Sequence, residues 1–330
     1  MATRFSAAVA AALLVILAVF YFLVPPRDDT VHKGRNDQDR PAALTGAEKA
    51  PQDSASGDAT DSAVVFQQNG MSVDNTDVLP SGDHEKRGSA RVRLINETHG
   101  FEQRIAAVHR LGAGLTASEV DELYEFLLTH GPDSLVKNDI LNVLRSQQTP
   151  PPRLIELLTA IYNDTQQDPP LRDYALQHAA LSYHGSALDD RRRIIQLLWL
   201  GVKEAHSSSA GTAIMGLQRL AREDALVDAR QVAEAALTMA ANPSANELAR
   251  ITATQVCGRL GVQAAVPTAE TLSQSGASVP LRMAAIATLG DLGGPPQRAL
   301  LERLAANPEP RMKRAALASL QRLSTRSLTR

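Results

Sequence analysis

Residues 279–294 read VPLRMAAIATLGDLGG, and this stretch decides the fold of the chain. Ser278 stands just before it, a residue type that accepts hydrogen bonds from the free amides at a helix start. Pro280 suits a first helical turn. Leu281, Ala284, Ala285 and Leu289 then fall on one small, apolar face, and the glycines from Gly290 on read as a stop. The stretch predicts one short helix that packs closely against a neighbour.

The same pattern recurs from about residue 101 to the C-terminus. Aligned on Leu281-Arg282, it reappears as RMKRAALASLQRL around Lys313, LARITATQVCGRLG around Arg250 and PLRDYALQHAALS around Arg172. Two earlier copies are LVKNDILNVLRS around Lys137 and EQRIAAVHRLG around Arg104. Successive bases lie 33, 35, 32 and 31 residues apart, and the wider interval of 78 residues between Arg172 and Arg250 holds a degenerate copy with Ala210 in place of the base. Four residues before the base stand Asp133, Asp168, Asn246, Ser278 and Glu309, a column that reads as helix N-caps. Between recurrent helices lie outer ones: a capping box at Thr116-x-x-Glu119, Pro150–Pro152 before LIELLTAIY, Asp189-Asp190 before RRRIIQLLWLGV, Ala225–Ala241, Val266–Ser273, and Pro295-Pro296 before RALLERLAA. Seven recurrent helices, each with a partner, are expected.

A two-helix period of this length belongs to helical solenoids. The order Leu/Val-Arg, Ala-Ala, Leu-Gly-x-Leu-Gly, carried by Arg282, Ala284, Ala285, Leu289, Gly290, Leu292 and Gly293, resembles HEAT-like repeats, most of all the short bacterial type first named from phycobilisome lyases. The resemblance spans about 101–330. It implies an all-α fold, a superhelix of antiparallel helix pairs, and a bacterial setting. It says little about function, because one fold hosts many. That group includes lyases, but no lyase-specific residue can be pointed to here.

Composition agrees with such a fold. The 330 residues are 44% hydrophobic but only 4% aromatic, as suits helices packed through Ala and Leu, and a solenoid grows by stacking rather than around one core. Residues 5–24, FSAAVAAALLVILAVFYFLV, contain no charge and are long enough to span a bilayer as a helix. The following FYFLVPPRDD lacks the small-x-small site of a cleaved signal, so 1–24 is expected to be an uncleaved transmembrane anchor. Counting Lys and Arg places the following chain in the cytoplasm, whereas a short N-tail with Arg4 before a long apolar run suits a signal anchor. The expected arrangement is a single pass through a bacterial inner membrane with the body on the periplasmic side. Residues 25–90, with 7 basic and 12 acidic residues and no sustained period, are expected to be a disordered linker. The solenoid is assigned to 91–330.

The sharpest chemical feature is the basic column: Arg104, Lys137, Arg172, Arg250, Arg282 and Lys313. It is either a ladder of cations for a partner or a set of contacts that fix the stacking. From 298 onward eight bases, among them Arg311, Lys313 and Arg314, face two acids, so the end can bind an anionic lipid, a glycan or an acidic protein, or serve as a solvated cap. Nucleic acid is not expected, because no aromatic residue accompanies these bases. His178, Tyr183 and His184 lie near Asp189 and Asp190, but histidines six apart on a helix point in different directions, so no metal site is expected. The lone Cys257 holds a Leu position and should be buried. No catalytic constellation, cofactor site or small-molecule site is found. The expectation is a membrane-tethered scaffold that binds a protein partner on the concave face of the solenoid. The alternatives are a binder of anionic lipid or glycan through the basic end, and a lyase-like enzyme or enzyme subunit.

Overall fold

A computed structural model describes residues 91, 92, 95, 100–131 and 133–328. The predicted anchor and linker lie outside them. Among the described residues there are thirteen α-helices and no strand, and no helix is long and apolar enough to cross a membrane.

The recurrent helices are α1 (Phe101–Leu111), α3 (Ser134–Arg145), α5 (Pro169–Ser182), α7 (Ser209–Glu223), α9 (Glu247–Arg259), α11 (Val279–Leu292) and α13 (Pro310–Leu328). The outer helices alternate with them: α2 (Ala117–Leu128), α4 (Leu154–Asn163), α6 (Leu188–Lys203), α8 (Ala229–Ala241), α10 (Val266–Gln274) and α12 (Pro295–Ala305). The seven expected recurrent helices are all present, and residues 91, 92 and 95 are helical ahead of the first. The array is an α-solenoid of stacked helix pairs.

The two rows are packed differently. Each recurrent helix lies against the recurrent helices before and after it, whereas successive outer helices barely touch. Small residues make the tight row possible. A Cβ added to Gly290 would lie 2.7 Å from Ser319 Cβ and 2.8 Å from its Cα, and one added to Gly211 would lie 3.0 Å from Ala249 Cα. Thr288 Oγ1 donates to Thr254 O across α9 and α11 at 2.8 Å, entirely inside the core. Gly290 is therefore not part of the helix stop, as its sequence position suggested. The stop is at Gly293, whose amide donates to Leu289 O, with Gly294 leading directly into α12.

Local signals set most helix ends. Thr116 and Glu119 form the reciprocal capping box, and the side chains of Asn246 and Ser278 accept the first amides of α9 and α11. Asp133 and Asp168 hold N-cap positions without capping through their side chains. They serve the stack instead: Asp133 accepts from Arg104, and Asp168 accepts from Ser134 Oγ. Glu309 accepts from the Arg311 amide. The outer helix expected from Ala225 begins only at Ala229, because Asp228 caps it by accepting the Arg230 amide.

Gly290→Val should lower stability by about 1–3 kcal/mol, the cost of overpacking a close helix contact. Gly276→Ala, at a position with open space around it, is the control. The urea midpoint should fall for the first variant and stay within error for the second.

Candidate functional site

The structure gives the basic column a definite task. Arg104 Nε donates to Ile95 O at 3.0 Å, Arg172 Nε to Tyr162 O at 2.7 Å, Arg250 Nε to Ala240 O at 3.4 Å and Arg282 Nε to Ser273 O at 3.2 Å. Lys137 Nζ donates to Leu127 O at 3.2 Å and to Thr129 O. Leu127, Tyr162, Ala240 and Ser273 are each the penultimate residue of the outer helix in the same repeat. The last carbonyls of a helix have no partner inside it and carry its negative dipole end, so a cation there satisfies both needs. Lys137 is 1% exposed and thus faces no partner surface, which corrects its place among the candidate binding residues. Burial pulls its ammonium below the ordinary lysine range, against the opposing pull of Asp133, Asp168 and Asp164.

Two bases also reach the next repeat. Arg104 pairs with Asp133 through both terminal nitrogens, at 2.7 and 3.2 Å. Arg172 lies over the Tyr162 ring and pairs with Glu204 at 2.9 Å. Glu204 belongs to the turn that precedes the degenerate copy, and Ser208 of that turn donates to Asp173 at 2.6 Å. The repeat without a base is thus held from the repeat before it.

A second arginine column went unnoticed in the sequence. Arg219, Arg259 and Arg322 stand nine residues after positions 210, 250 and 313. Arg219 donates to Ala180 O of α5 at 2.5 Å. Arg322 donates to Ala287 O of α11 at 3.2 Å and pairs with Asp291 at 2.8 Å. Burial raises the Asp291 carboxyl, opposed by Arg322, Arg326 and Arg259 around it. Arg219 and Arg322 clasp the preceding recurrent helix, and the nine-residue offset of the column was the available signal.

The last column member, Lys313, and its neighbours Arg311 and Arg314 differ. Lys313 and Arg314 are exposed and their side chains make no ion pair or hydrogen bond among the described residues, while Arg311 is exposed and paired with Glu309 at 2.9 Å. His178 stands apart from Tyr183 and His184, whose rings meet edge-on at 5.6 Å. His178 is buried against Asn138 Oδ1 at 3.0 Å, Tyr183 donates to Asp224 at 2.8 Å, and His184 pairs with Glu223. Asp189 and Asp190 turn to Arg192 and Arg193. No metal-binding group of side chains occurs among the described residues. Cys257 is fully buried, which pushes its thiol up to about 12.

What stays open is one face of the recurrent row. Asn142, Gln177, Met215, Gln255, Ala287 and Ala318 fall there, each five residues after the base position and each at least partly exposed. The side-chain amides of Asn142, Gln177 and Gln255 carry no hydrogen bond among the described residues.

Residues 233–321 match the family model of HEAT repeats. These are HEAT repeats. The HEAT match covers α9, α11 and most of α13, the copies in which the sequence pattern is clearest. Among solved structures, human deoxyhypusine hydroxylase in complex with glycerol is similar at 16% identity over 74% of this chain and 98% of that one, with a TM-score of 0.29. A comparison with curated proteins finds no match.

Two expectations follow from this geometry. Lys137→Met strands two helix-end carbonyls, so stability should fall by about 1–3 kcal/mol in urea titrations and the loss should persist at high salt. His178 is held neutral by burial and by nearby Arg145, with its pKa lowered from 6.5 to about 3. Its contribution to stability is whole above pH 6.5 and lost as the pH falls toward 3, by about 1.4 kcal/mol per pH unit. His178→Gln should therefore lose less stability than the wild type between neutral and mildly acidic pH.

Proposed function

We propose that the chain is a membrane-tethered scaffold that binds a protein partner along the open face of its recurrent helices. Stacked helical repeats offer extended surfaces of this kind to other proteins. The observation that carries the reading is the division of labour among side chains. Five of the six column bases are committed to backbone carbonyls within the protein, four of them at helix ends. Asn142, Gln177 and Gln255 instead keep free amides on the open face, once per repeat in three repeats. A polypeptide laid along the row would meet them in turn. Residues 5–24 are the tether, residues 25–90 set its reach, and the body works on the periplasmic side of a bacterial inner membrane.

A lyase-like role has less support, because the one thiol is buried and held protonated. Anionic lipid or glycan would have to be held chiefly by Lys313 and Arg314, since Arg311 and Arg322 are paired within the protein.

The test is site-specific photocrosslinking in cells, with the tether in place. A photoreactive side chain at Gln177 or Gln255 should give protein adducts that a probe at Glu234, on the outer helix α8, does not. Adducts of equal yield from both faces, or adducts with lipid alone, would overturn the reading. Protease added to spheroplasts should remove the body without lysis; protection until lysis would sink the periplasmic placement.

A further inference from the structure

Helix α13 carries five bases, Arg311, Lys313, Arg314, Arg322 and Arg326, and no acid. Its exposed arc holds Arg314, Leu317, Ala318, Gln321 and Thr325, with Leu317 49% exposed. In α11 the residue equivalent to Leu317 is Ile286, which is fully buried, because α13 packs onto α11. Among the described residues nothing packs onto the corresponding face of α13. Its bases are also placed against local stability. Arg311 and Lys313 sit in the first turn, and Arg314 follows them, where the helix dipole disfavours positive charge. A solvated cap would be served as well by neutral or acidic side chains at these positions. An acidic surface laid on this face would relieve the mismatch.

Helix α2 is the inverse. It carries four acids, Glu119, Asp121, Glu122 and Glu125, and no base. Glu119 is buried in the capping box and paired with Arg91. Asp121 and Glu125 are exposed one turn apart, without an ion pair among the described residues, and Leu128 beside them is 44% exposed. Arg153, whose charge acts on Tyr124 of this helix, is taken up by Glu156 at 3.1 Å. One spacing is shared by the two faces. Leu128 follows Glu125 by three residues, and Leu317 follows Arg314 by three.

We infer that the exposed face of α13 docks on the exposed face of α2 in a second copy of this chain, with Lys313 and Arg314 meeting Asp121 and Glu125 around a Leu317–Leu128 contact. The two surfaces are different patches, so the contact is heterologous and can propagate from copy to copy. Its charges lie at the surface, so it is sensitive to salt.

The test uses the full-length chain in detergent, followed by sedimentation velocity over a concentration series. At low salt the wild type should grow in mass with concentration, and at high salt it should stay monomeric. Lys313→Glu/Arg314→Glu and Asp121→Lys/Glu125→Lys should each weaken self-association at least tenfold at low salt. Mixing the two double variants should restore growth, because every junction of an alternating chain is then matched. Circular dichroism and urea midpoints establish that both variants fold, and Arg314→Gln and Glu125→Gln serve in place of either one that does not. A wild type that is monomeric at low salt, variants that associate like it, or a mixture that stays monomeric would each overturn the inference. So would loss of binding to vesicles of anionic phospholipid in Lys313→Glu/Arg314→Glu without any change in self-association, which would assign the face to a membrane.

Discussion

The array rests on a cation placed against the end of a helix. Every outer helix leaves carbonyls that its own backbone cannot satisfy, and it turns directly into the next helix, so those groups are shielded from water at the turn. In four repeats an arginine or lysine three residues into the recurrent helix reaches back nine or ten residues and donates to the penultimate carbonyl. A hydrogen bond from a charged group to a shielded carbonyl contributes about 1.5–3 kcal/mol, more than the roughly 0–1 kcal/mol of an exposed ion pair. The base therefore ties the two helices of a repeat together, and the ion pairs to neighbouring repeats, such as Arg104–Asp133, add to that tie.

With each pair closed on itself, stacking needs only shape. Gly290 lets α11 and α13 approach to a distance that a side chain would prevent, and at Gly211 and Gly258 a Cβ would meet its nearest neighbour atom at 3.0 and 3.1 Å. Where the base is missing, at Ala210, the burden shifts: Glu204 and Ser208 tie the turn onto Arg172 and Asp173 of the preceding repeat. The degenerate copy survives because its neighbour holds the turn.

The period, the number of recurrent helices and the capping box at Thr116 were legible because each depends on residues close together in the chain. The base column was visible too, since one residue type recurs at one spacing. Its acceptors were not, because a carbonyl has no letter in a sequence; only the antiparallel pairing brings Arg172 beneath Tyr162. The N-cap column was half right. Asn246 and Ser278 cap, but Asp133 and Asp168 face stronger claims from Arg104 and Ser134 across a repeat boundary. Gly290 looked like punctuation because a glycine for close approach and a glycine for a stop are written alike. The second arginine column was hidden by Leu181 and Asp291, which interrupt it. The open face was the least legible part of the candidate site, since Asn142, Gln177 and Gln255 stand out only once the helices are seen side by side.

The unequal packing of the two rows has a mechanical consequence. The recurrent helices form a continuous spine in which each inner member is wedged between neighbours, while the outer helices are separate leaves attached to it. Bending that spreads or gathers the leaves breaks few contacts, whereas stretching the spine must pull glycine-lined contacts apart one by one. Such a body is compliant in flexure and stiff in extension, like a spring steel strip with slats fixed along one side. It can alter its curvature at little energetic cost while keeping the spacing of the side chains along its open face.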